Sequence, residues 1–182
     1  TGLGADQNWS TGNNWTNETA LTSGTAPGAT DDVRFFDSAF LSPIVDGWFG
    51  GTIASLRFGS SNVNYVTTIA GTLNVTGAGG LRVGTPGDPV SVAYVRSNVI
   101  AGAGATLSMN NPAANLVLNQ GANTANGSRA ILNLEGLDNF TANIRGIGIG
   151  TVSYANTVAQ RNSGILYLAK TNLITLSHAL PL

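Results

Sequence analysis

Side chains that commonly carry catalysis are scarce in this sequence. It has one histidine (His178), one lysine (Lys170) and no cysteine. A serine hydrolase would need His178 beside an activated serine, but the chain has no G-x-S-x-G motif. The lack of cysteine excludes disulfides and thiolate metal ligands. We therefore predict no catalytic residue, no cofactor-binding residue and no metal-binding residue in this chain.

Four aspartates lie close together in the sequence, at Asp31, Asp32, Asp37 and Asp46. Paired carboxylates can hydrolyse glycosidic bonds, and carboxylate oxygens can coordinate Ca²⁺. The chain has neither the spacing of an EF-hand loop nor a nonapeptide Gly-Asp repeat. Because aspartate is also common in turns and at strand ends, the sequence favours a structural role for these residues.

The arginines raise the question of a polysaccharide lyase. Such an enzyme removes a proton next to a uronate carboxylate and needs a basic side chain to do so. Arg82, Arg96, Arg129 and Arg145 would serve only if they stacked on one face, and their spacings of 14, 33 and 16 residues share no single period. The sequence therefore favours a protein that is not an enzyme. A polysaccharide lyase remains the less favoured alternative.

Three tryptophans offer a different contact with carbohydrate. Trp9, Trp15 and Trp48 are candidate sugar-stacking residues, because aromatic faces pack against pyranose rings. Tryptophans near the N-terminus could instead cover the open end of a repetitive fold, which would otherwise expose apolar core and strand edges. The sequence favours covering, and we expect Trp9 or Trp15 to pack near Phe35 and Leu56.

Composition narrows the functional classes. Charged residues make up 9% of the chain, against about 25% in ordinary globular domains. The net charge of −1 and the scattered arginines argue against nucleic-acid binding, which needs a basic patch. No apolar run approaches the ~20 residues of a membrane span, so membrane insertion is not expected. The 42% hydrophobic content can still bury a core.

A short pattern recurs along most of the chain: two apolar residues flank one middle residue, and Gly- and Asn-rich turns follow. Period-two alternation predicts a short strand with one buried face. The pattern occurs at Leu73-x-Val75, Leu81-x-Val83, Leu107-x-Met109, Leu116-x-Leu118, Leu132-x-Leu134, Ile147-x-Ile149, Leu166-x-Leu168 and Ile174-x-Leu176. We expect inward side chains at Leu73, Val75, Leu81, Val83, Leu107, Met109, Leu116, Leu118, Leu132, Leu134, Leu166 and Leu168.

Strands of three to five residues suit a parallel β-helix better than a sandwich, whose strands are commonly longer. We therefore predict an all-β solenoid with coils of about 20–30 residues. Helix periodicity is nearly absent. The first residues are rich in Trp and Asn and lack the triplets. We divide the chain into an irregular N-terminal cap, residues 1–32, and a solenoid, residues 33–182, which could continue beyond 182.

Several stretches carry a family resemblance. "NWSTGNNW", "DDVRFFDSA", "IVDGWFGGTIASLRFGS" and "GTLNV" resemble the start of the passenger-type region in autotransporter-associated β-strand repeat proteins. "LNLEGLDNFTANIRGIGIG" and "SGILYLAKTNLITL" look like segments of large exported bacterial proteins that carry such repeats. The resemblance implies a right-handed parallel β-helix that is secreted or displayed on the cell surface, and it implies no activity.

These observations favour a non-catalytic structural or adhesive protein. One alternative is a carbohydrate-active module, either a lyase fragment or a sugar binder. Another is a subunit of an extracellular filament whose units stack end to end. The expected partners are other copies of the chain or further β-helix coils, and polysaccharide. The last coil, residues 165–176, is apolar and almost uncharged, so we expect its edge to need a partner.

Overall fold

The structure is a computed structural model, and it describes residues 4–36, 42–59, 63–84, 95–120, 128–150 and 162–178. These residues are all-β: they contain strands, one 3₁₀ turn and no α-helix. No helix in this described part is long and apolar enough to cross a membrane. The 3₁₀ turn is Gly12–Asn14, and the strands are β1 (Thr16–Asn17), β2 (Thr22–Ser23), β3 (Asp32–Phe35), β4 (Ile44–Val45), β5 (Thr52–Phe58), β6 (Val66–Ile69), β7 (Thr72–Val83), β8 (Val95–Leu118), β9 (Ser128–Asn133), β10 (Leu137–Ile149), β11 (Asn162–Tyr167) and β12 (Thr171–Leu176).

The strands pair almost entirely in parallel. β1 and β2 form a small antiparallel pair, while the other strands join one sheet with parallel neighbours throughout. Its pairings follow three rows of residues, which we call the first, second and third rows. The first row runs Val33, Leu56, Leu81, Leu116, Ile147; the second runs Leu73, Leu107, Phe140, Asn172; the third runs Val66, Val99, Asn133, Tyr167.

Partners in neighbouring strands are separated by a regular length of chain. Asp32 and Ser55 are 23 residues apart, whereas Asn110 and Asn143, further along, are 33 apart. The predicted interval of about 20–30 residues therefore holds near the start and is too short later. The longer interval leaves room for strands that continue from one row into another.

The predicted strand length of three to five residues holds for β3 and β6, whereas β7, β8 and β10 are much longer because they turn corners. β7 contributes Leu73 to the second row and Leu81 to the first, with a register shift between Val75 and Leu81. Gly80 stands at this corner with a φ of 62°. A Cβ there would lie 2.2 Å from the carbonyl oxygen of Asn115, so the close approach of the next strand requires glycine.

The core forms where apolar side chains of successive strands meet. Ten of the twelve side chains predicted to face inward are buried, each at most 1% exposed: Leu73, Val75, Leu81, Val83, Leu107, Met109, Leu116, Leu118, Leu132 and Leu134. The prediction for these ten is confirmed. The first row stacks apolar side chains throughout, and the second row does so from Leu73 to Phe140, at about 4.8 Å spacing, which packs the interior closely. The third row lies on the outer face, where Val66 and Tyr167 are exposed.

The prediction is wrong for Leu168, which is 42% exposed. Leu166 is only partly buried, although it packs against the core. Both belong to the segment around β11, which pairs with β9 and has no strand on its other side in the described residues. An inward direction does not bury a side chain unless a further layer covers it.

The N-terminal segment packs over aromatic core residues. The Trp9 ring is fully buried, with its centroid 5.2 Å from that of Trp15, 5.2 Å from Phe49 and 5.9 Å from Phe35. The expectation that Trp9 or Trp15 packs near Phe35 is therefore confirmed, and Leu56 belongs to the same buried cluster as Trp9. Asn8 also forms a parallel bridge with Ile44, so this segment covers the edge of β4.

Candidate functional site

The three candidate sugar-stacking tryptophans do not form one platform. Trp9 is 0% exposed, so its faces are occupied by other core rings. Trp15 is partly buried, and its indole Nε1 donates a hydrogen bond to the Trp9 carbonyl oxygen over 2.9 Å. Trp48 is 90% exposed on the loop after β4. Only Trp15 and Trp48 present ring surface to solvent.

The clustered aspartates separate into different places. Asp31 accepts a hydrogen bond from the Gly28 amide over 2.8 Å, and Asp32 on β3 accepts one from the Ser55 hydroxyl. Asp46 follows β4, and Asp37 lies outside the described residues. No group of three acidic or histidine side chains in the described ranges is arranged to hold a metal ion.

Asp46 and Asp6 instead hold the N-terminal segment in place. Asp46 accepts hydrogen bonds from the Ser10 amide over 3.0 Å and the Ser10 hydroxyl over 2.7 Å. Partial burial raises the pKa of Asp46, but these hydrogen bonds outweigh it and leave the pKa below its usual value. The Asn8 amide is the main cause that lowers the pKa of Asp6. Both groups are therefore ionised at neutral pH and act as hydrogen-bond acceptors.

The four arginines considered for lyase chemistry are not brought together. Arg96 is 4% exposed and points inward from β8. Arg82 lies outward on β7, Arg129 lies outward on β9 in register with Val95, and Arg145 is exposed on β10. His178, exposed near the end of the described chain, donates its backbone amide to the Arg145 carbonyl oxygen. These positions assemble no general base with an acidic partner.

A different set of arginines does come together. Arg34 on β3, Arg57 on β5 and Arg82 on β7 occupy paired positions of three neighbouring parallel strands. The residues on either side of each arginine are buried, so all three side chains leave the same outer face. We call these three residues the arginine ladder. Its rungs follow the strand spacing of about 4.8 Å.

The arginine ladder is only partly neutralised. Arg34 forms an exposed ion pair with Glu18 at 3.5 Å. The Arg57 guanidinium lies 5.3 Å from the centroid of the Phe36 ring, and its Nε is buried with no hydrogen-bond partner among the described residues. Arg82 has no ion pair with any residue that the structure describes. Burial lowers the pKa of Arg57, and the charges of Arg34 and Arg82 lower it further.

Two clefts open onto this face and share Asp32 and Arg34. The larger has a volume of about 330 Å³ and the smaller about 180 Å³. Hydroxyl, amide and aromatic groups line the larger cleft, while the arginine ladder lines the smaller. The larger includes Trp15, Thr16, Asn17, Glu18, Thr25 and Asp31, and the smaller includes Ser55, Arg57, Gly79 and Arg82.

Two rungs of the arginine ladder, Arg34 and Arg57, were missed as candidates. The sequence does contain a pattern that marks them: Val33-Arg34-Phe35, Leu56-Arg57-Phe58 and Leu81-Arg82-Val83 are three apolar-Arg-apolar triplets. The first two fall before the regular series of triplets, so they were not grouped with Arg82. Their shared register became visible only through strand pairing.

Comparison with known proteins places the chain in no family. It matches no protein-family model, no curated protein and no solved structure. What the fold defines is therefore a class only, an all-β chain with mostly parallel strand pairing.

Proposed function

We propose that the chain is a right-handed parallel β-helix, a solenoid spanning residues 33–182 beneath an N-terminal cap of residues 1–32. The repeated parallel register supports this architecture. Leu73, Leu107 and Phe140 are paired in successive strands and are all fully buried. The passage of β7 from the second row into the first also supports a chain that winds around one interior.

We further propose that the protein is a non-catalytic structural or adhesive protein, secreted or displayed on the cell surface. The observation that carries this proposal is the regular outer face of the paired strands. Thr72 and Thr106 are paired there, and the Asn143 amide donates to the Asn110 side-chain oxygen over 3.2 Å. Such a face offers extended contact through hydroxyl and amide groups. The resemblance to autotransporter-associated repeat proteins supports the location.

Carbohydrate binding is the second candidate function. The larger cleft favours it, because Trp15 lies beside the hydroxyls of Thr16 and Thr25 and the amide of Asn17. An aromatic ring with nearby polar groups suits a sugar, whose faces are apolar and whose edges carry hydroxyls. A lyase has less support, because the arginines considered for it do not come together: Arg96 points inward, and Arg82, Arg129 and Arg145 lie apart.

A filament subunit is the third candidate function. The segment around β11 and β12 exposes apolar side chains, among them Leu168, Leu173 and Leu176. Another copy of the chain, or a further β-helix coil, could cover them by adding parallel strands. This arrangement would join units head to tail. A head-to-tail contact builds an open filament unless the rotation from one unit to the next closes a ring.

Localisation on intact producing cells tests the proposed function. Antibodies raised against the purified chain are expected to label the outside of unpermeabilised cells, or to detect the protein in the medium. Brief protease treatment of intact cells should remove the label, while a cytoplasmic marker protein stays intact. Label that requires permeabilisation and survives the protease would contradict the proposal.

A further inference from the structure

The arginine ladder concentrates like charge on one face. Guanidinium groups on neighbouring strands repel one another, and like charges directly opposite each other in a sheet are destabilising. Of the three, only Arg34 has a carboxylate partner among the described residues. Arg57 is held between Arg34 and Arg82, and the charges of both lower its pKa. An anion placed across Arg57 and Arg82 would relieve this repulsion.

We propose that the arginine ladder binds an acidic glycan, a sugar chain that carries carboxylate or sulfate groups. A guanidinium presents a planar fork of N–H donors that matches two oxygens of a carboxylate or sulfate. Three forks along neighbouring strands form a linear array suited to a chain with repeated acidic groups. Arg82, which is exposed, would contact the anion directly, and Arg57, which also lines the smaller cleft, would add a second positive charge beside it.

The surroundings of the arginine ladder favour a glycan over a nucleic acid. Glu18, Asp31 and Asp32 line the adjoining cleft and would repel a polyanion as dense as duplex DNA, with one charge per ~1.7 Å. An acidic glycan has neutral hydroxyls between its charges. These hydroxyls can meet the amide of Asn17 and the carboxylates of the larger cleft, which accept hydrogen bonds.

The choice of a glycan rests on the proposed adhesive function, whereas the anion site rests on the three arginines. The two can fail separately. Surface localisation without binding of acidic glycans would overturn the arginine ladder proposal and leave the adhesive function standing. Acidic-glycan binding by the arginine ladder in a protein confined to the cytoplasm would overturn the adhesive function and leave the anion site standing.

Titration calorimetry of the full 182-residue chain tests the site. The probes are an oligogalacturonate for carboxylate, keratan sulfate for sulfate, uncharged dextran, and a DNA duplex. We expect at least one acidic glycan to bind, with affinity that falls as salt rises, and uncharged dextran not to bind at the site. Tighter binding of DNA than of both acidic glycans, or equal binding of uncharged dextran, would overturn the proposal.

Matched arginine variants locate the binding. Arg82→Gln should weaken acidic-glycan binding by about tenfold or more, because it removes the charge-assisted hydrogen bonds that the guanidinium donates to the anion. Arg82→Lys should restore part of the affinity, since it keeps the charge and loses the fork. Arg129→Gln removes the same charge from an exposed position on β9 and should leave affinity unchanged.

Arg57→Gln is a second ladder variant, and the unfolding temperature of each variant shows whether it folds. If folded Arg82→Gln and Arg57→Gln bind within twofold of the original chain, the proposal is wrong. An equal loss in Arg129→Gln would also overturn it, because binding would then follow net charge alone.

Discussion

At the residue scale, burial depends on what lies above a side chain as well as on its direction. Leu134 and Leu168 end equivalent apolar-x-apolar triplets, and the middle residues of those triplets, Asn133 and Tyr167, are paired across β9 and β11. Leu134 is 0% exposed, whereas Leu168 is 42% exposed. The two leucines therefore share sequence context and differ in environment.

Truncation of this pair provides a direct measurement. We expect Leu134→Ala to lower the free energy of unfolding by about 2–5 kcal/mol, through lost burial and the cavity left behind. Leu168→Ala is the matched control and should cost about 1 kcal/mol or less, because much of its side chain is already in water. Chemical denaturation of both variants gives the two values, and equal costs would contradict the assigned layers.

At the element scale, the corners of long strands decide which rows pair. β7 crosses from the second row to the first through Gly80, and the backbone of Asn115 in β8 passes directly over that position. Gly84 ends the same segment with a φ of 93°. The backbone at these corners has conformations that other residues adopt only with strain.

Gly80→Ala tests the corner. We expect it to lower the free energy of unfolding by more than about 2 kcal/mol, since the left-handed backbone alone costs about 1–2 kcal/mol and the new Cβ also collides with Asn115. Gly104→Ala separates the two causes: Gly104 has a φ of 72°, but a Cβ there meets nothing within 4 Å. Thermal unfolding of both variants supplies the comparison, and a Gly80→Ala protein no less stable than Gly104→Ala would show that the strands do not approach so closely.

At the scale of the whole molecule, the two ends of the strand rows differ. The N-terminal side is covered by Trp9 and its ring contacts, while the β11–β12 side exposes Tyr167, Leu173 and Leu176. β11 pairs only with β9, and β12 only with β10, in the residues described. Open strand edges beside apolar side chains favour the addition of further strands.

We therefore expect the chain of residues 1–182 to self-associate through this side, as sedimentation velocity over a range of concentrations would show. Leu176→Lys should abolish association. Leu176 on β12 pairs with the inward residue Ile144 on β10, so an added strand would have to pack against the new charge. Thr175→Lys adds the same charge at an outward position, paired with Asn143, and should leave association intact. A chain that stays monomeric over the whole concentration range would contradict the prediction, as would equal effects of the two variants.

Local sequence predicted the all-β class and the direction of most core side chains. Alternation places every second residue of a strand on one face, so Leu73-Asn74-Val75 and its equivalents determine inward and outward positions without knowledge of their neighbours. The cap contact was also predictable: Trp9, in a segment without strand periodicity, packs against Phe35. The four arginines first considered gave no site, because Arg96 points inward and the others lie apart.

Register and coverage were decided by the tertiary structure. The chain between paired strands lengthens from 23 to 33 residues, and no local pattern sets that interval, which depends on the loops and on strands that continue round corners. The alignment of Arg34 and Arg57 with Arg82 follows from register, and the exposure of Leu168 follows from the absence of a covering strand in the described residues. A residue's own sequence thus determined which way its side chain points, and only the neighbouring layer decided what that side chain meets there.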